Sequence, residues 1–251
     1  MKAQLLLLAS AILFCAGPAT AAPQEHGHGH DGHGHGEHGG QGEHAGGHEK
    51  KAGSATDKEI IAAQLPSYPL DLCVVSQEGL HSMGEPLDVV VEGRLLRLCC
   101  KGCVKSVKKS PAKAIAAVDA AVIKAQKATY PIDTCLISGE KLGGMGDIID
   151  VVHGTRLARL CCKGCLRGFK KSPAKYMAKV DAALIAQQVK TYPISVCPIS
   201  GEDLGSMDGV TDYLYGTRLV RLCCGMCKKS FLKSPEKTIA KLDAAAKSRD
   251  A

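Results

Sequence analysis

The chain has no tryptophan, three phenylalanines and six tyrosines in 251 residues. So few rings exclude a core built on aromatic packing. Small units made from such a sequence need other staples, a metal or disulfides. Histidine is scarce too: beyond His48 only His81 and His153 remain. No nucleophile, base and acid recur together, so no enzyme is expected. The apolar run from Leu5 to Phe14 is too short to cross a bilayer, where about 20 residues are needed. No later stretch is apolar enough, so no transmembrane segment is expected once the leader is removed. No helix carries the base-reading polar residues of a nucleic-acid binder, and the formal charge of +7 permits an anionic surface or simple solubility.

What is present is cysteine, in a repeated pattern. Arg97-Leu98-Cys99-Cys100-Lys101-Gly102-Cys103 returns as Arg159-Leu160-Cys161-Cys162-Lys163-Gly164-Cys165, and again as Arg221-Leu222-Cys223-Cys224-Gly225-Met226-Cys227. The spacing is 62 residues each time, and a further cysteine (Cys73, Cys135 or Cys197) lies 26 positions before each doublet. Twelve of the 13 cysteines thus belong to one pattern used three times. A fixed period of this kind marks tandem structural units.

The chain divides accordingly. Residues 1–21 read as a secretory signal: Lys2 at the start, the short apolar run, a break at Gly17-Pro18, and Ala19-Thr20-Ala21 as a small-x-small cleavage site. Phe14 does not fit a lipobox, so Cys15 is expected to leave with the signal. Location in a periplasm or outside the cell is expected from this. Residues 22–56 have no apolar periodicity and should be disordered. They carry His26, His28, His30, His33, His35, His38, His44 and His48 among Gly, Glu and Asp. Such tracts bind borderline divalent metals through neutral imidazole, and lose them as the rings protonate below a pKa of about 6.5. Residues 57–129 form the first repeat. It begins with a short helix over Lys58–Gln64 that resembles each repeat's end and is read as a cap. Residues 130–191 and 192–251 are the second and third repeats.

Each unit reads in four parts. Tyr68-Pro69 is extended, and Cys73 to Met83 is a turn-rich knuckle. Next comes a hairpin, Leu87–Val91 and Arg94–Cys99, turning at Glu92-Gly93. The alternation of Arg94, Arg97 and the intervening leucines suggests a half-buried strand. A short helix then runs to Lys109, and Ser110-Pro111 opens a longer one as N-cap and first position. Ile115, Val118, Val122 and Ile123 give that helix its apolar face, with Lys113, Lys124 and Lys127 toward water. The fold class is therefore α+β: three tandem units of cysteine knuckle, hairpin and one or two helices.

In this arrangement Cys99 and Cys103 bracket the strand-to-helix turn and Cys73 faces them. Three thiolates can then meet on one ion, with a helix N-terminus expected to lower the pKa of Cys103. The same holds for Cys135, Cys161 and Cys165, and for Cys197, Cys223 and Cys227. Soft thiolates select Zn2+ or Cu+. Neighbouring strand residues point to opposite faces, so Cys100, Cys162 and Cys224 are the uncertain ligands. A fourth position falls to the middle cysteine, Met83, Asp88 or water. His81 and His153 do not recur in register and are set aside. The alternative is structural disulfides, which exported proteins commonly form.

Cys73 with Cys99-x3-Cys103, and its two later copies, resembles the TRASH/YHS group of small treble-clef-like metal-binding domains. The likeness covers residues 68–251. It implies metal ligation by the knuckle cysteine and the Cys-x3-Cys pair, and a role in trafficking, resistance or sensing of heavy metals. The 25-residue gap is longer than the family's, Leu98 stands for an aromatic, and Cys100 is extra. The expected function is an exported copper- or zinc-binding protein for sequestration, trafficking or resistance, with metal ions and a metal-transport or envelope protein as partners. The alternative is a disulfide-stabilised repeat that binds a protein or an anionic surface through its lysine-rich helices.

Overall fold

The computed structural model describes residues 55–206 and 209–249. The signal-like segment, Cys15 and the eight histidines from His26 to His48 lie outside the described residues.

The first helix, α1 (Asp57–Gln64), is started by Thr56. The Thr56 hydroxyl accepts from the Glu59 amide at 3.3 Å, and the Glu59 carboxylate accepts from the Thr56 amide at 2.8 Å. This reciprocal capping satisfies two amides that a helix start leaves unpaired. A 3-10 turn, Leu65–Ser67, ends the segment at a proline.

Three units of one design come after it. The first has β1 (Leu87–Val91), β2 (Arg94–Leu98), α2 (Lys101–Lys109) and α3 (Pro111–Gln126). The second has β3 (Ile149–His153), β4 (Arg156–Leu160), α4 (Lys163–Lys171) and α5 (Pro173–Val189). The third has β5 (Thr211–Tyr215), β6 (Arg218–Leu222), α6 (Gly225–Phe231) and α7 (Pro235–Arg249). Each strand pair is a separate antiparallel hairpin, with Val91 opposite Arg94, His153 opposite Arg156 and Tyr215 opposite Arg218 at the turn end. The fold is mixed α and β, as expected, with one small hairpin and helices per unit. Two-residue turns close the hairpins. Glu92 and Gly93 both take positive φ in the first, whereas Gly154 and Gly216 open the other two turns at φ +61° and +65°.

Ion pairs brace each unit at the same places. Arg97 reaches Asp88 across the first hairpin at 2.8 Å, and Arg94 pairs with Asp119 on α3. Arg159–Asp150 and Arg221–Asp212 repeat the first pair, and Arg156–Asp181 and Arg218–Asp243 the second. The tyrosine that opens each unit accepts from the backbone amide of Arg97, Arg159 or Arg221 through its hydroxyl. Ser110 does precede α3, but its side chain makes no capping hydrogen bond.

The strand expectation needs one correction. Leu95 and Leu96 are adjacent, and both are fully buried. Alternation would have exposed one of them. Leu96 and Leu98 join the unit's own core with Val107, Ala114, Val118 and Val122, whereas Leu95 lies outside that cluster. Successive strand residues face opposite sides, so the second face is covered as well. Its cover is the helix before the unit: α1 for the first hairpin, α3 for the second and α5 for the third.

Glutamines fasten these seams. The Gln64 side chain donates to the Gly93 carbonyl and accepts from the Leu95 amide, both at 2.8 Å. Gln126 does the same with Thr155 and Leu157, and Gln188 with Thr217 and Leu219. Each side-chain amide thus serves two backbone groups on the hairpin's uncovered edge, which buried backbone requires. Apolar contact continues the seam: Val152 packs on the first core and Leu214 on the second.

The hairpin tips also meet the α1 segment. Thr155, 1 % exposed, donates its hydroxyl to the Gln64 carbonyl at 2.8 Å and lies 2.6 Å from the Ser67 hydroxyl. Gly216 lies so close to Pro66 that an added Cβ would stand 2.7 Å from its carbonyl oxygen. The short N-terminal segment therefore touches the turn of all three units.

Candidate metal centre

The cysteines sit at the other end of each hairpin. The knuckle is a tight backbone loop in which the Cys73 amide donates to Glu78 O at 2.8 Å and the Gln77 amide donates to Cys73 O at 2.9 Å. Isolated pairing of Leu72 with Gly79 closes it. Gln77 takes φ +62° where the later units have Gly139 and Gly201. Cys99 comes directly after the last residue of β2, and Cys103 lies in the first turn of α2.

These elements bring Cys73, Cys99 and Cys103 together, all three buried, with sulfurs within 4.8 Å of one another. Cys135, Cys161 and Cys165 form the second such triad, and Cys197, Cys223 and Cys227 the third. The Cys99 and Cys103 sulfurs are 3.8 Å apart, and their counterparts are 3.7 Å apart in the other two units. Two thiolates about 2.3 Å from a tetrahedral ion are separated by about 3.8 Å. The spacing, softness and burial of the donors thus fit a thiophilic ion. All twelve described cysteines are unbridged.

The proton balance differs from expectation. Burial would raise the Cys73 thiol, but hydrogen bonds from the Ser76 and Cys99 backbone, the Ser76 hydroxyl and the Val75 backbone outweigh it and hold the pKa to about 6. Cys135 and Cys197 are likewise held to about 6 against burial by Ser138 and Ser200. Cys103 was the thiol expected to be lowered by its helix N-terminus. It is instead pushed up to about 12, first by burial and then by the neighbouring sulfurs. The reason is local: three sulfurs crowd one dry site, the knuckle backbone stabilises a first negative charge, and that charge disfavours the next.

The knuckle serine is the residue that reading for ligands missed. The Ser76 hydroxyl is 3.3 Å from Cys99 Sγ, and Ser138 and Ser200 are 3.4 Å from Cys161 and Cys223. Its recurrence three residues after each knuckle cysteine was the available signal. Glutamines at positions 64, 126 and 188 carried the same signal for the seam.

The other candidates differ in how near they come to the triads. Cys100, Cys162 and Cys224 are the N-caps of α2, α4 and α6, and are only partly buried. Cys100 Sγ lies 3.5 Å from Cys103 Sγ, on the solvent side of the triad. Met83 is 71 % exposed and Met145 65 % exposed. Asp88 is engaged by Arg97, so neither Met83 nor Asp88 completes a site. His153 lies edge-on to Phe169 with ring centres 6.3 Å apart, away from any sulfur cluster.

Comparison with family models, curated proteins and solved structures finds no match to this chain. Metal binding therefore rests on the geometry of the three triads.

Proposed function

We propose that the chain is an exported protein that binds a thiophilic heavy metal, copper or zinc, for sequestration, trafficking or resistance. The observation that carries this reading is the threefold convergence of buried thiols at metal-coordination spacing. Cys73, Cys99 and Cys103 hold one ion, as do the matching residues of the other units. A bound ion would neutralise the thiolate charge that three crowded sulfurs otherwise resist. The knuckle cysteine, already poised to ionise, makes the first bond. Cys103 gives up its proton as the metal arrives, so affinity falls with falling pH.

Export is supported by the signal-like pattern of residues 1–21. The eight histidines before residue 49 act as a loose collecting arm that raises local ion concentration near the tighter sulfur sites. The likeness to TRASH/YHS domains agrees with this reading, and the role is binding rather than catalysis. The partner is a metal-transport or envelope protein that receives the ion.

The test is metal content and free-thiol count on protein purified without oxygen. Three thiolate-bound ions per chain are expected beyond any held by the arm. Cys73→Ser, Cys135→Ser and Cys197→Ser should each remove one. Absence of any thiophilic metal, together with full pairing of the thiols, would overturn the reading.

A further inference from the structure

The three triads leave one sulfur per unit unassigned. Cys100, Cys162 and Cys224 each stand at a helix N-cap, with the next cysteine three residues on in the first helical turn. We propose that each of these Cys-x2-Cys pairs is a thiol–disulfide exchange site, whose closure withdraws one sulfur from the triad. The exchange stands on the cysteine geometry alone, and the withdrawal rests on the metal-binding reading.

Access decides which sulfur meets an incoming reagent. Cys73, Cys99 and Cys103 are 0 %, 4 % and 6 % exposed, whereas Cys100 is open to solvent on one side. Distance decides which sulfur resolves the product. In the first unit Cys103 Sγ lies 3.5 Å from Cys100 Sγ, in the third Cys224 Sγ lies 3.9 Å from Cys223 Sγ, and a disulfide needs about 2.05 Å. The remaining approach of roughly 1.5 Å lies within side-chain rotation at a helix start. A Cys99–Cys100 bridge between neighbours would instead require a strained eight-membered ring.

The exchange balances with an external disulfide, such as oxidised glutathione, as the oxidant. The Cys100 sulfur loses its proton and attacks one sulfur of that disulfide, forming a mixed disulfide and expelling one thiolate. Cys103 then loses its proton, attacks Cys100 Sγ, and expels the second thiolate. Two protein thiols are oxidised, one external disulfide is reduced to two thiols, and two protons pass to the released sulfurs. Cys103 now makes a covalent bond to sulfur and no longer offers a thiolate. The ion keeps two ligands of three and leaves.

The units should not exchange equally. Glycine comes after the lysine in the first two pairs, and a Cβ at Gly102 or Gly164 would stand only 3.7 Å from the Cys100 or Cys162 sulfur. Met226 occupies that position in the third. Met226 is 70 % exposed, and a bulky side chain two residues from Cys224 hinders an incoming disulfide, so the third unit closes most slowly.

The full chain, reduced and metal-free, is titrated with oxidised glutathione, trapped with an alkylating agent and mapped by peptide mass spectrometry. Loss of six of the twelve repeat thiols is expected, as Cys100–Cys103, Cys162–Cys165 and Cys224–Cys227, with full recovery under reduced glutathione. Bridges that include Cys73, Cys135 or Cys197, or glutathione left on Cys100 without ring closure, would overturn the exchange site. In the second arm, zinc-loaded chain is exposed to the same oxidant with a chromophoric zinc chelator. One ion should be released per bridge. The triple variant C100S/C162S/C224S should load zinc normally and release it at least tenfold more slowly. Equal release from parent and variant overturns the competition. Failure of the parent to load either zinc or Cu+ condemns the metal-binding reading alone, because the peptide map still decides the exchange.

Discussion

The two ends of each hairpin do different work. At the turn end, Gly93, Thr155 and Gly216 meet the α1 segment and the glutamine seams, where hydrogen bonds and close approach hold unit to unit. At the open end, past Leu98, Leu160 and Leu222, the sulfurs collect. A five-residue strand separates the two by about 15 Å. Chemistry at one end is thereby insulated from assembly at the other. Substitutions at the turn end should lower stability without altering the ligands of the folded protein, and substitutions at the open end should do the reverse.

The largest effect is expected from Gly216→Val. The backbone there sits at φ +65°, and the new Cβ meets Pro66 at 2.7 Å. Left-handed strain plus overpacking should cost about 3 kcal/mol or more. Urea melts that show no loss would mean that the turn end does not hold the units together. Next comes Gln126→Ala, which strands the Leu157 amide and the Thr155 carbonyl at a seam. Each unsatisfied buried group costs about 1–3 kcal/mol, so a drop of at least about 2 kcal/mol should accompany unchanged metal stoichiometry.

Ser138→Ala tests the open end. Removing the hydroxyl takes away one of the bonds that hold Cys135 to about 6. Its thiolate absorbance should then appear at higher pH, with a change in stability below about 1 kcal/mol. Linkage gives the sign. A thiol lowered from 9.0 to about 6 stabilises the folded metal-free chain fully above its unfolded value, and that contribution fades as pH falls through about 6. A titration curve indistinguishable from the parent's would sink the role given to the serine. The smallest effect belongs to Lys127→Ala. The Lys127–Asp150 pair at 3.3 Å has its lysine 56 % exposed, so no more than about 0.5 kcal/mol should be lost, and less in salt.

Much of the fold and site was legible in the sequence, for physical reasons that differ by element. The hairpins were readable because glycine turns punctuate short β-branched and leucine runs, and Ser-Pro marked the start of each long helix. The sulfur triads were readable because period and strand direction together singled out three cysteines of four. The double-sided burial of Leu95 and Leu96 was not, since the second cover comes from the preceding unit, and alternation assumes one face open to water. The Cys103 thiol was misjudged for a related reason. A helix N-terminus is visible in sequence, but the crowding of three sulfurs in a dry site is a tertiary fact, and here it outweighs the helix. The seam glutamines recurred in plain view. Nothing local distinguished them from surface glutamine until the partner backbone was placed.

Thr155 also bears on the order in which the protein is made. Its hydroxyl closes on the Gln64 carbonyl from 91 residues further along the chain. At synthesis rates of about 5–20 residues per second, this bond becomes available roughly 5–20 s after Gln64 is made, later than the bonds from Gln64 to Gly93 and Leu95. Through that interval α1 is held by its own unit's hairpin alone, and any truncation before residue 155 leaves it so. α1 is thus fastened in two stages, first by its own hairpin and later by the tip of the next.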